Sequence, residues 1–590
     1  MSRPRATASS FLISHNDMPA VVDAAVPENV QGGLASHLRR GDLFGRASSS
    51  FDGGDIAFIA VAGILVFLMV PGLAFLYSGL ARRKSALTLV WAVAASNAVV
   101  IFQWWFWGYS LAFSPTATNG FIGNLRSFAL RKVLSDPSPG SPLIPELLYS
   151  FYQMEFACVT VGILMGALVD RGRVMPAMIF TFVWMTLVYC PLACWAWNPN
   201  GWGYTWGVLD YAGGGPVEIG SGVSGLAYAW VLGRRSEREL LNFRPHNVSF
   251  VYLGTAMLWF GWLGFNGGSA FGANLRAILA IWNSMLAAAM AGIVWCALDF
   301  RLERKYTMVG FCSGTIAGLV AATPASGYIP QWAAVVMGIV VGAVANYATK
   351  IKFLLRIDDA LDLYAEHAIG GVIGLVFNAL FADSELIALD GVNTSVPGGW
   401  IEGNWKQLYI QVAYIFATCG YSFVVTALIA KVIDLIPGLA LRTPPEMEAI
   451  GMDDAQIGEF ATDYIEVRRH YSDWTPSGDR KASDTKVSET DSRTPFAAGD
   501  RHGRPDLSAE GPKDGGRSHT PSTSRERSAE RGLRWGRTSS DEGRAHFTAG
   551  DRHGGTELAP RDGNRSRSRG RAPELASINE KEHGEAEKHE

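Results

Sequence analysis

"DYAGGGPVEIGSGVSGL", residues 210–226, and "DALDLYAEHAIGGVIGL", residues 359–375, carry one pattern twice. Each opens on Asp, places an ionisable side chain eight residues on, then Gly four and seven residues later, then Leu. Asp210 thus corresponds to Asp359, Glu218 to His367, Gly222 to Gly371, Gly225 to Gly374 and Leu226 to Leu375. Both stretches lie in long apolar runs, so the pattern puts a carboxylate and an imidazole where charge is costly.

A run needs roughly 20 apolar residues to cross a bilayer as a helix. With no water in the hydrocarbon to satisfy free backbone groups, such runs are read as helices. Eleven occur between about Gly54 and Leu435, centred near 66, 99, 159, 184, 225, 258, 288, 315, 340, 373 and 422. The two copies fall in the fifth and tenth. Five helices separate them, so they run in opposite directions through the membrane. The expected fold is an all-α polytopic membrane protein, eleven transmembrane helices with a five-plus-five inverted repeat. Such folds place the substrate path between the halves, near the midplane. Glu218 and His367 are then expected to face each other across the pseudo-two-fold axis. Of 11 histidines, His367 alone falls within an apolar run. Ionisable groups at that depth are expensive unless paired or wetted, which points to a pathway role. The competing reading is a structural pair fixing the two halves.

Cations set the orientation. One alternating set of connections carries Arg82, Arg83, Lys84, Arg171, Arg173, Arg234, Arg235, Arg238, Arg244, Arg301, Arg304, Lys305, Lys350, Lys352 and Arg356. The other carries Arg126, Arg131 and Lys132 in one loop, Arg276 and Lys406 at helix edges, and almost nothing else. Positive charge stays inside, so the amino terminus is expected outside and the carboxyl terminus in the cytoplasm. No cationic stretch followed by a compact apolar core precedes Gly54, so no cleaved signal peptide is expected.

The 590-residue chain and its formal net charge of -3 average a membrane core with two polar ends, so neither identifies a partner. Glycines four apart (162 and 166; 310, 314 and 318; 338 and 342) suit closely packed helices. The six cysteines lie in or beside apolar runs without ligand-like spacing, as core residues rather than a disulfide or metal framework. No cofactor, metal or nucleic-acid partner is expected. Residues 1–53 read as a disordered extracellular segment, 54–437 as the transmembrane domain and 438–470 as an ordered cytoplasmic region. Beyond, 471–590 is too polar to bury a core and reads as a disordered tail. The tail repeats "FAAGDRHG" (496–503) as "FTAGDRHG" (547–554), and its Arg–Ser clusters are either kinase targets or a solvated polyampholyte.

Other polar and aromatic residues gather at the outer ends: "YQMEFACVTVG" (152–162), "PLACWAWN" (191–198) and "WFGWLGFNGGSA" (259–270). Membrane-edge aromatics often only anchor. Phe156, Trp197 and Phe265 with Ser269 can instead form a cup for a cation, ring faces attracting it and a hydroxyl accepting a hydrogen bond. Asp210 precedes a Gly-rich turn, where its carboxylate either caps free N–H groups or meets the cation. Asp359 and Asp362 read as caps and ion partners at the inner start of the tenth helix. Glu155 has no assigned role. "DDALD" (358–362) has the spacing of a magnesium–diphosphate site, but such enzymes need a second Asp-rich cluster on the same side, and the core sequence has none.

At these residues the sequence resembles the ammonium transporter (Amt/Mep/Rh) family, most closely the ammonium permeases of filamentous fungi. The resemblance runs from "DYAGGGPVEIGSGVSGLAYAWVLGRR" through "FGWLGFNGGSA" and "DDALDLYAEHAIGG" to "GMDDAQIGEF", covering about 52–470. It implies transport rather than enzymatic activity, with ammonium or ammonia as substrate, methylammonium as analogue, and a homotrimer with one pore per subunit in the plasma membrane. It implies that Trp197, Ser269 and Phe156 recruit the cation, that Asp210 supports the recruitment site, and that Phe156 and Phe265 gate the pore. Gln153, Trp262, Asp359 and Asp362 are expected to support them. Where the family has two facing histidines, this chain has Glu218 and His367, as a fungal subgroup does. A twin-imidazole proton path therefore cannot be carried over unaltered, and Glu218 with His367 is the expected relay. Alternatives are an ammonium sensor acting through the long tail, with a kinase as regulator, or an electroneutral ammonia channel.

Two glycosylation sequons test the topology. Asn393 in "NTS" lies in an expected outer loop and Asn247 in "NVS" at the inner edge. Any glycan should disappear in Asn393→Gln and persist in Asn247→Gln on endoglycosidase gels; a glycan at Asn247 would reverse the orientation.

Overall fold

The computed structural model describes residues 51–236 and 244–461. Expectations for residues 1–50, Arg238 and everything beyond 461 lie outside the described residues. Within them the chain is helical, with two isolated β-bridges and no strand. The long helices are α1 Gly53–Leu80, α2 Arg83–Phe113, α3 Glu146–Leu168, α4 Val174–Trp206, α6 Val248–Gly268, α7 Leu275–Glu303, α8 Met308–Ala325, α9 Gln331–Leu355, α10 Tyr364–Phe381 and α11 Lys406–Asp434. These ten, among the described residues, are long and apolar enough to cross a membrane. The expected count was eleven. The remaining run forms α5, a π-turn Gly214–Ile219 continued by helix Gly220–Leu232. Its glycines, serines and Glu218 make it too polar to qualify by composition. Nevertheless α5 runs from end to end of the bundle. It begins beside Trp197, whose indole donates to the Asp210 carbonyl at 3.1 Å, and ends where the Leu232 carbonyl accepts from Arg442 at 3.0 Å.

Small residues let these helices touch backbone to backbone. A Cβ on Gly314 or Gly342 would stand 2.7 Å from the Ala291 carbonyl, and one on Gly338 2.7 Å from that of Ala287, so α8 and α9 close on one alanine stripe of α7. The repeat halves meet the same way. A Cβ on Gly222 of α5 would lie 2.5 Å from the Ala368 amide of α10, and one on Gly371 of α10 would lie 2.9 Å from Cβ of Glu218. The two equivalent glycines thus mark where α5 and α10 cross.

Four connections meet at one end in a buried ion-pair network. The Arg235 guanidinium donates to both carboxylate oxygens of Asp358, at 2.8 and 2.9 Å, and to Asp170 at 2.7 Å. Arg82 pairs with Asp170 at 3.0 Å, and Arg171 lies 3.8 Å from the Asp358 carboxylate while donating to its carbonyl at 2.8 Å. The segment after α11 lies across this end, carrying the short helices α12 Pro445–Ile450 and α13 Met452–Gln456. Arg173 donates its amide to the Leu441 carbonyl at 2.8 Å, and Thr443 returns an amide to Arg171 at 2.9 Å. Fully buried Asp453 accepts from the Leu87 amide at 3.1 Å and from the Thr88 amide and hydroxyl at 2.7 and 2.8 Å, capping the start of α2.

Removing one partner of such a network strands the others. Asp358→Ala should cost about 3–5 kcal/mol by leaving Arg171 buried without its counter-charge and Arg235 with Asp170 alone, seen as earlier thermal loss of the size-exclusion peak in detergent. Burial opposes ionisation of Asp358, but the Arg235 hydrogen bonds and the Arg171 charge outweigh it and hold the carboxyl well below its usual range. A depressed folded value means the contribution is complete above the ordinary carboxyl range near pH ~4. It is lost only as the pH falls through the lower folded value, so the parent-to-variant gap should persist from neutral pH to mild acid.

Candidate functional site

Asp210 closes the turn that starts α5. Gly213 sits at φ 115°, a backbone open to glycine, and brings three consecutive amides onto one carboxylate. Asp210 accepts from the amides of Gly213 (2.9 Å), Gly214 (2.6 Å) and Gly215 (2.7 Å), and from the Tyr414 hydroxyl at 3.2 Å. These four donors engage both carboxylate oxygens, which is the arrangement of a cap. At the equivalent place in the other half, Asp359 accepts from the amides of Leu363 (3.2 Å) and Tyr364 (2.9 Å).

Each cap leads into a π-turn, Gly214–Ile219 and Tyr364–Ala368, and each π-turn carries the ionisable residue of its repeat. The extra residue of a π-turn re-aims the side chains beyond it, and such turns concentrate at functional sites. Glu218 and His367 meet, with Nδ1 of the imidazole 2.8 Å from Oε2 of the carboxylate; Glu218 is 0% and His367 3% exposed. The other carboxylate oxygen, Oε1, has no hydrogen-bond partner. Thr323, on α8, accepts the Trp262 indole N–H at 2.9 Å and donates to the Leu319 carbonyl at 3.1 Å.

Toward the Trp197 end, the rings of Phe156 and Phe265 stack with centroids 3.8 Å apart and planes 20° from parallel. Both are buried, so this state is shut between them. Trp197 stands edge-on to Phe156 at 6.1 Å, and Trp262 lies 5.8 Å from Phe265. The Ser269 hydroxyl donates to the Phe265 carbonyl at 2.9 Å and lies 3.4 Å from the Tyr152 hydroxyl.

The structure therefore brings Trp197, Phe156, Phe265, Trp262, Ser269 and Asp210 together at one end, with Glu218 and His367 joined as a pair. Gln153 stands apart from the pair, its amide donating to the Tyr149 hydroxyl at 3.2 Å. Asp359 and Asp362 lie at the opposite end, Asp362 pairing with Lys352 at 2.6 Å. Burial and then the neighbouring Asp362 charge raise Asp359 to about 6. Glu155, 2% exposed, keeps Oε2 without a partner. Sequence reading missed Tyr414 and Thr323, which sit singly in apolar runs with no pattern to flag them, and gave no role to Tyr152 at the head of "YQMEFACVTVG". It also passed over Glu366, 8% exposed beside His367, because its counterpart in the repeat is Val217.

The family model described as the Ammonium Transporter Family matches residues 57–462. Ammonium transporter MEP3 of Saccharomyces cerevisiae is 54% identical over 452 residues, spanning 75% of this chain and 92% of that protein. Ammonium transporter MEP1 of the same yeast is 53% identical over 438 residues, 74% and 89% of the respective chains. The crystal structure of Saccharomyces cerevisiae Mep2 superposes with a TM-score of 0.65 at 47% identity, covering 68% of this chain and 93% of that one.

Asp210→Ala should lower stability by about 2–5 kcal/mol, since four donors lose a charged acceptor. Asp210→Asn, with one oxygen left to accept, should fall between parent and Ala in detergent melting. Equal melting of all three would remove the cap from the account.

Proposed function

Because this chain belongs to the ammonium transporter family and is a multi-pass membrane protein that transports ammonium rather than an enzyme, we propose a route for the ion through the site described above. The cation is drawn to the ring faces of Trp197 and Phe156 and to the Ser269 hydroxyl, while Asp210, occupied as a cap, holds the turn that frames this cup. Ammonium gives up a proton, ammonia passes the Phe156–Phe265 stack, and the Glu218–His367 pair relays the proton. Trp262 braces Phe265 and Thr323.

One observation carries this reading: the 2.8 Å contact between Glu218 and His367, buried where the two repeats cross, with one carboxylate oxygen left unpartnered. A proton can therefore pass between the two groups across a single hydrogen bond. An apolar passage offers no oxygens to replace the hydration of potassium or sodium. Ammonium differs in being able to leave its proton behind and cross neutral.

The same reading takes α5 as an eleventh crossing, with the amino terminus outside, the 438–470 region and the 471–590 tail in the cytoplasm, and residues 1–53 outside. Support for the crossing comes from Arg171, before α4, and Arg235, after α5, converging on Asp358. Plasma-membrane location, a homotrimer with one pore per subunit, methylammonium as an alternative substrate, and a kinase acting on the Arg–Ser clusters of the tail follow from the family resemblance and the tail composition.

The test is charge movement in proteoliposomes after an ammonium pulse, with a potassium pulse as control. The parent should give an ammonium-specific current, and Glu218→Gln should reduce it at least about tenfold, as expected when a proton-transfer group is lost. Ammonia flux without current in the parent would make this an electroneutral channel, and an unchanged current and pH profile in Glu218→Gln would remove Glu218 from the relay.

A further inference from the structure

In the connections at the Trp197 end the cations Arg126, Arg131, Lys132 and Lys406 are exposed, but Arg276 is only 3% exposed. It occupies the first turn of α7, just after the Asn274 cap, where the helix end already carries partial positive charge. Desolvation and the helix end both oppose a guanidinium there, so its charge is tolerable only beside a partner. Asp390 is that partner: its carboxylate lies 2.6 Å from Arg276 Nη2, while Nη1 donates to the Ile387 carbonyl at 3.0 Å. Asp390 is held in turn by the amides of Val392 (2.9 Å) and Asn393 (2.8 Å) and by the Asn393 side-chain amide at 2.5 Å. The α10–α11 connection is thereby latched to the start of α7.

The latch joins two segments of the proposed cation cup. Along the chain, Ser269 precedes Arg276 by seven residues, and between them Asn274 donates its side-chain amide to the Ala270 carbonyl at 3.4 Å. Across the packing, the guanidinium lies 5.6 Å from the centre of the Tyr211 ring and 5.9 Å from that of Tyr328, and the two rings meet edge to face at 5.3 Å. Tyr211 directly follows Asp210, whose carbonyl accepts the Trp197 indole N–H, and its own amide donates to the Pro324 carbonyl at 3.1 Å. Arg276 therefore stands one ring away from the turn that frames the cup. A positive charge left unbalanced there would oppose an arriving cation, and burial leaves it poorly screened. The tyrosine rings stabilise the guanidinium without cancelling its charge; the Asp390 carboxylate cancels it.

Resting on the recruitment reading above, we infer that Arg276 and Asp390 form a charge-balanced positioning pair for cation entry. Arg276 clamps the segments that carry Ser269 and Asp210, and Asp390 removes the clamp's charge so that the mouth still attracts ammonium. Neither residue touches the transported ion. Their charges act on the apparent affinity for the cation, not on the later passage of ammonia and proton.

The experiment measures methylammonium uptake against concentration, per surface molecule, for the full chain expressed in cells lacking their own ammonium transporters. Asp390→Asn keeps an acceptor for the Val392 and Asn393 amides but leaves the guanidinium uncompensated, and KM should rise at least about threefold. Arg276→Gln leaves the carboxylate uncompensated, and KM should fall by a similar factor. The double variant should return KM to within about twofold of the parent, and Vmax should move less than KM throughout. Opposite signs are the signature, because simple damage to the cup raises KM in both single variants. KM raised in both, or unmoved in either, overturns the inference. If one single variant fails to reach the surface, the sign of the KM shift in the other decides. If both fail, a double variant that also fails, or reaches the surface with a raised KM, overturns it. Trp197→Leu separates the levels: a raised KM there with unmoved KM in the charge variants discards only the pair, whereas a parent-like KM in Trp197→Leu discards the recruitment cup and the pair with it.

Discussion

A carboxylate held away from water inside an apolar bundle is tolerable only beside a partner, and here the partner of Glu218 is His367, contributed by the other half of the molecule. That single contact constrains the architecture around it. The helices carrying the two groups must cross closely, and Gly222 and Gly371, one turn beyond each ionisable residue, let them do so. Both helices must begin with their side chains aimed inward, and each does so through a π-turn fastened by an aspartate cap. Asp210 and Asp359 are thus the same device used twice, at opposite ends of the bundle. The carboxylates at positions 210 and 359 fix the turns, the turns aim Glu218 and His367, and the glycines bring the pair within hydrogen-bond distance.

Much of this was legible in the sequence because membrane insertion and backbone geometry leave few solutions. Long apolar runs read as helices, and the Asp–ionisable–Gly–Gly–Leu phase points to the equivalence of α5 and α10 from the sequence alone. The same polarity that made α5 informative also disguised it: Gly, Ser and Glu218 supply the site but lower the apolar content by which a crossing helix is recognised. The capping role of Asp210 was one of two open readings, and the three consecutive amides it accepts favour it, with a fourth donor, Tyr414, 204 residues away by chain order. Such long-range partners leave no local signal. Thr323 and Tyr152 are ordinary small or aromatic residues in apolar helices until Trp262 and Ser269 are seen beside them. Glu366 was in plain view but broke the symmetry by which the repeat was found.

The two ends of the bundle solve opposite electrostatic problems. At the Trp197 end the proposed route needs a cation welcomed without being trapped, and aromatic faces with a hydroxyl offer attraction but no fixed counter-charge. At the other end Arg82, Arg171 and Arg235 are fixed by Asp170 and Asp358, so cations from the connections following α1, α3 and α5 are neutralised where they converge. The segment after α11 adds to that neutralisation in backbone terms. Asp453 satisfies the free amides at the start of α2, and the Arg173–Leu441 and Arg171–Thr443 bonds tie the α3–α4 connection to the same segment. A helix end that would otherwise present orphan N–H groups is thus completed by residues more than three hundred positions later.

Selectivity on the proposed route then follows from what the interior withholds rather than from what it supplies. Beside the Phe156–Phe265 stack and the Glu218–His367 pair, polar side chains are engaged within the protein: Trp262 on Thr323 and Thr323 on the Leu319 carbonyl. A metal cation entering that space would lose hydration with nothing to replace it. A cation that can divide into a neutral molecule and a proton meets a different landscape, because the neutral part tolerates apolar walls and the proton has Glu218 and His367 to hold it. On that proposed route the buried pair serves discrimination and conduction together, since a group that carries the proton separately is also what makes deprotonation the condition of entry.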